Sequence, residues 1–378
     1  MRVMKRFKAQ SAGNFEAQIK REFDTLGQTP AAMALWEDLA WREFLVERGW
    51  SCPSWPLDMG GPGWNDVQKL IWYRVCSERL EGFCEPPEIR EVGPCLIRWG
   101  GEVEKILVAI AHLEERWAMA VFDKQDTVTT VDLATGRLSG CKMAVRFFDR
   151  ADRLLIVALE DNDGYALLAL DPTAEGVVAE ANTSLSGDRD YVTLTFIDVA
   201  VEKTDVIARI TAEEIHSLYD QMVALELGHT GVLNRQLEQI RESLCGIDDP
   251  GSLHRRADEL EIELEALSSL ESRIAAALSR GESPPVPGVL LQARILSLKA
   301  RLGDLLVEAF GYYALPFPDA MMLHNEGSVG PPAAAQATRG MLVISEQVNY
   351  ANLAGDLYDR AVGALSDAFV KQNNDHRK

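Results

Sequence analysis

Apolar positions along the chain follow three successive rhythms. From residue 14 to about residue 112 they recur every three or four residues. Phe15, Ile19 and Phe23 form one series, Trp36, Leu39, Ala40 and Phe44 a second, and Val67, Leu70, Ile71 and Val75 a third. Each series puts its apolar side chains on one face of a helix. Helical character resumes after Gly93-Pro94, and Gly100-Gly101 punctuates it. Between Arg116 and about Arg209 the period shortens. Residues 127–133 are rich in Val and Thr, and residues 154–159 and 165–170 are apolar runs joined by Glu160-Asp161-Asn162-Asp163-Gly164. Residues 177–181 and 191–197 add further strands. This spacing predicts a hairpin within one antiparallel sheet or flattened barrel. From Thr211 to about Val370 the helical period returns. Thr211-Ala212-Glu213-Glu214 has the form of a capping box, and Leu260, Leu264, Leu267, Ile274 and Leu278 mark one stripe of a long helix. Ser283-Pro284-Pro285-Val286-Pro287 breaks it, and another helix runs over 290–310 to end near Gly311. Long helices with short connections predict a bundle.

One stretch interrupts the first rhythm. RGWSCPSWPLDMGGPGW, residues 48–64, holds three tryptophans, three prolines and four glycines. It reads either as a glycine loop cradling a phosphate or as a structural turn. Gly61-Pro62-Gly63-Trp64-Asn65-Asp66 lacks the third glycine of G-x-G-x-x-G and opens no βαβ unit. That spacing argues against a phosphate-binding loop.

Composition narrows the function. A chain of 378 residues has room for two or three domains. It is 47% hydrophobic but has no apolar run of about 18 residues. The basic N-terminus leads into no apolar segment, so neither a membrane span nor a secretory signal is predicted. A formal charge of −20 repels polyanions and argues against nucleic acid. A cytoplasmic protein is expected. Six cysteines form no C-x-x-C pair and read as buried thiols in a reducing compartment. The six histidines are scattered, so no metal site is expected. Walker A, H-E-x-x-H and G-x-S-x-G motifs are absent. Glu259, Glu261, Glu263 and Glu265 alternate with apolar residues and read as a solvated helix face.

Several phrases, in order, resemble the acyl-CoA dehydrogenase family. Gly49-Trp50, Trp55-Pro56 and Gly60-Gly61-Pro62-Gly63 are similar to the family's segment between two early helices, which implies a helix-to-helix crossover with Trp50, Trp55 and Trp64 as packing anchors and Gly60-Gly61 as the turn. Gly93-Pro94-Cys95-Leu96 through Gly100, Leu138-Ser139-Gly140-Cys141-Lys142 and Ala151-Asp152-Arg153-Leu154-Leu155-Ile156-Val157 match later phrases. Residues 248–267 and 308–316 resemble one bacterial branch. The resemblance implies an α+β fold with an N-terminal helical domain over 1–113, a middle antiparallel β domain over 114–208 and a C-terminal four-helix-bundle domain over 209–378. It implies FAD, an acyl-CoA substrate and dehydrogenation between Cα and Cβ, with a carboxylate base and a flavin hydride acceptor.

Three flavin-facing phrases depart from the family. Its SEPGAGSD loop should follow Trp117, where this chain reads Ala118-Met119-Ala120-Val121-Phe122-Asp123-Lys124-Gln125-Asp126. Met143-Ala144-Val145 offers no hydroxyl after the G-x-K hairpin, and Ala351 follows Tyr350 where one subfamily places its base. Asp220 falls nearest the other base position, with Glu226 as a second option. Contacts to a neighbour's FAD tail are expected from Arg235, Arg241, Glu308 and Gly311. The pattern resembles the degenerate subunit of α2β2 dehydrogenases acting on steroid side-chain CoA thioesters. That subunit works beside a paralogous one, which mainly holds the FAD. A self-sufficient flavoenzyme with a divergent site and a non-enzymatic scaffold are the other two readings.

Overall fold

The computed structural model describes residues 11–26, 38–80, 85–101, 103–124, 127–161, 164–182, 191–211, 214, 227–245, 252–282 and 288–310. The chain divides into two compact units, residues 1–183 with 188–222, and residues 184–187 with 223–378.

The first unit opens with helices α1 (Ala12–Phe23), α2 (Leu39–Arg48) and α3 (Asp66–Arg79). Short polar side chains set where each begins. Asp38 accepts the Trp41 N–H at 2.8 Å, and Asn65 and Gln68 form a reciprocal capping box. Phe15, Ile19 and Phe23 are buried as their spacing predicts. The α2 stripe differs. Leu39 is 70% exposed and Ala40 is exposed, while Trp41, Phe44 and Leu45 face inward. The Asp38 cap makes Leu39 the first helical residue, which turns the inward face one step later; Trp36 lies outside the described residues.

The tryptophan-rich stretch links α2 to α3. Gly49 ends α2 at φ 66°, and Gly60 turns the chain at φ 93°. Trp50, Trp55 and Trp64 are all buried. Trp50 packs against Trp64 and Trp72 with ring centroids 5.7 and 5.5 Å apart, and Trp41 stacks on Trp72. Trp55 Nε1 donates to the Ile89 carbonyl at 2.8 Å. A Cβ on Gly93 would fall within the Trp55 ring. The stretch is thus a packed crossover. It leads on to a π turn (Glu88–Val92), α4 (Gly93–Trp99) and α5 (Glu104–Ala111).

Eight strands follow: β1 (Trp117–Ala120), β2 (Thr130–Asp132), β3 (Arg137–Arg146), β4 (Arg153–Asp161), β5 (Gly164–Leu170), β6 (Val177–Asn182), β7 (Tyr191–Ala200) and β8 (Val206–Thr211). They form one sheet in the order β6-β7-β3-β2-β4-β5-β8, with β1 pairing off this path to β4. The β4–β5 hairpin forms as predicted, with Leu159 opposite Tyr165. The β3–β7, β6–β7, β2–β3 and β5–β8 ladders are antiparallel too. However, β1 and β2 both join β4 in parallel, so the sheet is mixed rather than wholly antiparallel. Residue alternation cannot reveal this, because strand direction is set by the connections. The strand expected over 127–133 shrinks to three residues because Thr129 N–H is drawn to the Asp123 side chain. The Thr211–Glu214 capping box forms as predicted, with Thr211 N–H on Glu214 Oε2 at 2.8 Å and Glu214 N–H on Thr211 Oγ1 at 3.3 Å.

The second unit packs α6 (His229–Leu244), α7 (Ser252–Ser279) and α8 (Gly288–Phe310) around one apolar core. Leu260, Leu264, Leu267 and Ile274 form its α7 stripe, as the spacing predicts. Glu271 continues that stripe and is fully buried. It accepts the backbone N–H groups of Gly228 (3.0 Å) and Thr230 (3.4 Å) and the Thr230 hydroxyl, capping the start of α6 from a neighbouring helix. The acidic run does face solvent: Glu259, Glu261 and Glu265 are exposed. Glu263, half-buried, accepts from Arg294 and Arg301 of α8 at 3.1 and 2.6 Å. The fourth bundle helix expected beyond Gly311 lies outside the described residues.

Candidate functional site

The place where the family resemblance puts a flavin loop lies at the exit of β1. Trp117, Ala118, Met119 and Ala120 are all buried, and Val121 continues the apolar run. The chain then lies against β3. Lys124 N–H donates to the Cys141 carbonyl at 3.0 Å, and Met143 N–H donates to the Phe122 carbonyl at 2.8 Å. These bonds bring Asp123 opposite Lys142.

Lys142 is the lysine of the Leu138–Lys142 phrase, and only 1% of it is exposed. Its ammonium donates to the Val121 carbonyl at 2.8 Å and pairs with Asp123 Oδ1 at 2.8 Å. Burial pushes the lysine pKa down, and Asp123 opposes that shift. Asp123 Oδ1 also accepts Thr129 N–H at 3.0 Å. Thr129 itself is fully buried over Gly140, where a Cβ would overlap the Thr129 backbone. Only glycine permits that approach.

This arrangement closes on itself. A loop that holds a phosphate or a flavin edge presents N–H groups outward, with small side chains to leave room. Here the N–H groups of Lys124 and Thr129 are spent within the chain, and Thr127 N–H donates to the Lys124 carbonyl at 2.9 Å. The cation nearby is neutralised by Asp123, whose carboxylate repels an anionic ligand. The residues present do not fit the family's flavin loop. Past the hairpin, Val145 is fully buried and Met143 half-buried, again without a hydroxyl.

The other expected site residues sit apart from this cluster in the chain. Arg235 is half-buried on α6. Arg241, also on α6, donates to Asp258 at 2.8 Å and to Glu261, both on α7; these carboxylates raise its pKa. Glu308, near the end of α8, accepts from Arg256 of α7. Arg241 and Glu308 thus engage different α7 residues. Asp220, Glu226, Gly311 and Tyr350-Ala351 lie outside the described residues. Of the described cysteines, Cys52, Cys76, Cys95 and Cys141 are buried as expected, but Cys245, the C-cap of α6, is exposed; Cys84 lies outside the described residues.

Sequence reasoning passed over three buried acids. Glu271 was visible as a charge inside a leucine stripe. Glu85 and Glu88, 4% and 8% exposed, had only the adjoining Pro86-Pro87 as a signal. Among the described residues no group of three His, Cys, Asp or Glu side chains could hold a metal. No described helix is long and apolar enough to cross a membrane.

No family model matches the sequence. Over 83 residues, 22% of this chain, the sequence is 36% identical to acyl-CoA dehydrogenase FadE28 of Mycobacterium tuberculosis. That segment spans 23% of the relative's length. The fold is similar to the ChsE4-ChsE5 complex from Mycobacterium tuberculosis, with TM-score 0.70, 15% identity and coverage of 96% of this chain and 99% of the other. It is also similar to the steroid ACAD Tcur3481-Tcur3483, with TM-score 0.70, 16% identity and 90% and 94% coverage. The FAD complex of PigA matches with TM-score 0.68, 13% identity and 89% and 93% coverage. The chain has an acyl-CoA dehydrogenase-like fold, and the resemblance read from its motifs extends to measurable sequence identity.

Proposed function

We propose that this chain is the non-catalytic subunit of an FAD-dependent acyl-CoA dehydrogenase, paired with a paralogous competent subunit in an α2β2 heterotetramer in the cytoplasm. The observation that carries the reading is the Asp123–Lys142–Thr129 closure beyond β1, which fills the flavin-loop position with the chain's own ion pair. Two similar structures are named as assemblies of two different chains, one of them a steroid ACAD. That supports both a paralogous partner and a steroid side-chain CoA thioester as substrate.

On this reading the Cα proton and Cβ hydride of the thioester leave on the partner's groups. This chain contributes shape and the edge of the partner's cofactor site. Arg235, Arg241, Glu308 and Gly311 are the residues proposed to approach the partner's FAD tail. Arg241 already serves Asp258 and Glu261 through its Nη2.

Co-expression with candidate paralogous dehydrogenase subunits, followed by light scattering of the purified product, tests the assembly. A heterotetramer with equal subunit ratio is expected. A homotetramer that turns over acyl-CoA without a partner overturns the reading and favours a self-sufficient enzyme. Within the complex, Asp220→Asn should leave turnover unchanged. Loss of turnover with FAD and assembly intact would place a base in this chain.

A further inference from the structure

Asp123 is held in the first unit as a bound anion would be. Its Oδ1 accepts from Lys142 Nζ at 2.8 Å and from Thr129 N–H at 3.0 Å. Both donors are fixed without it. Lys142 Nζ also donates to the Val121 carbonyl at 2.8 Å, and Lys142 pairs with Leu194 in the β3–β7 ladder. The Thr129 carbonyl accepts Leu159 N–H at 2.9 Å. Thr129 is fully buried against Gly140, where a Cβ would come within 2.4 Å of Thr129 Cα. A fixed ammonium and a fixed N–H aimed at one oxygen are the parts of an anion receptor.

Exposure and charge define what the receptor takes. The Lys142 side chain is 2% exposed and that of Asp123 33%, so the carboxylate stands between the ammonium and solvent. Anything that replaces it enters from the same side. Thr129 Oγ1 is buried with no hydrogen-bond partner among the described residues, so an unserved hydroxyl sits on the residue that supplies the N–H. One ammonium balances one negative charge. A carboxylate leaves the interior neutral, whereas a phosphate dianion would leave a buried charge unpaired.

We propose that Lys142 and Thr129 form a receptor for a single small carboxylate, and that Asp123 is the tethered ligand plugging it. Tethering gives Asp123 an effective concentration that free anions do not reach, so the native site stays shut. The plug deepens the closure on which the proposed function rests: a carboxylate of the chain's own, already bound, is what keeps an external anion out. The two fail separately. A yellow isolated chain would contradict the non-catalytic role and leave the receptor standing, because the receptor is read from anion binding alone.

Chemical rescue of the full-length chain tests it. Asp123→Ala removes the carboxylate and keeps the β-carbon, which leaves a gap the size of formate. Urea unfolding of this variant is followed at rising sodium formate, against sodium chloride at matched ionic strength. The titration is run on the acid side of neutrality, because a buried lysine stripped of its counter-charge otherwise tends to lose its proton. Above the dissociation constant, the unfolding constant should fall about tenfold for each tenfold rise in formate, the slope of one bound anion. The wild-type chain, its plug in place, should respond to formate only as it does to chloride. Asp123→Ala combined with Lys142→Met should lose the formate dependence. If Asp123→Ala is unfolded in chloride, formate should restore its helical circular dichroism. The plug is overturned if formate does no more than chloride for Asp123→Ala, if the variant stays unfolded in both salts, or if the formate response survives in the double variant.

Discussion

Asp123 Oδ1 stands 2.8 Å from Lys142 Nζ, and the lysine side chain is only 2% exposed. A buried ammonium cannot remain without a counter-charge, so this pair holds the segment after β1 against β3. Asp123→Asn should cost about 3 kcal/mol of stability, because it strands the lysine. Adding Lys142→Met should restore most of that loss, since the two changes share one interaction. Urea unfolding of the two single variants and the double variant completes the cycle. Additive losses would show that the pair is not coupled.

Glu271 caps α6 from within an otherwise apolar stripe. Truncation to alanine leaves three donors unsatisfied and a cavity behind, at a cost of about 3–5 kcal/mol. Glutamine keeps one acceptor in place and should cost about 1–2 kcal/mol. The midpoint of chemical unfolding, followed by helical circular dichroism, ranks the two.

Gly93 lies under the Trp55 ring, and Trp55 is pinned by its Nε1 bond to the Ile89 carbonyl. Gly93→Ala should destabilise by about 3 kcal/mol through overpacking. Trp55→Phe alone should cost about 1–2 kcal/mol for the lost hydrogen bond. The smaller ring makes room for the new methyl, so the double variant should be less damaged than the sum of the singles. Thermal melts of the three variants check this coupling.

Arg241 serves Asp258 and Glu261 at the helix surface, where ion pairs are worth little. Arg241→Ala should change stability by less than about 1 kcal/mol. In the heteromeric complex the same substitution, or Arg235→Ala, should lower retention of the partner's FAD. Flavin fluorescence released during gel filtration measures it. Unchanged retention in both variants would remove these arginines from the cofactor's surroundings.

The fold was legible wherever one periodicity ran without interruption. The α7 leucine stripe and the β4–β5 hairpin follow from spacing alone, and the burial of Trp50, Trp55 and Trp64 is as the family resemblance implied. Local rules failed where a distant residue decides. The parallel entry of β1 and β2 beside β4 depends on connections, and the inward face of α2 depends on one cap residue. The departure from the family's flavin-loop pattern was readable as missing glycines and hydroxyls after Trp117. What replaces it was not, because Asp123 and Lys142 are 19 positions apart and meet only through the pairing of the segment with β3. Glu85 and Glu88 were hidden for a related reason: charged residues beside Pro86-Pro87 read as a loop, and only tertiary packing buries them.

The visible absorption spectrum of the chain purified alone, after expression in FAD-replete cells, tests the central claim most directly. A colourless protein is expected, turning yellow only when co-purified with its paralogous subunit. One flavin per chain, retained by the isolated protein through gel filtration, would contradict the closure of its flavin loop.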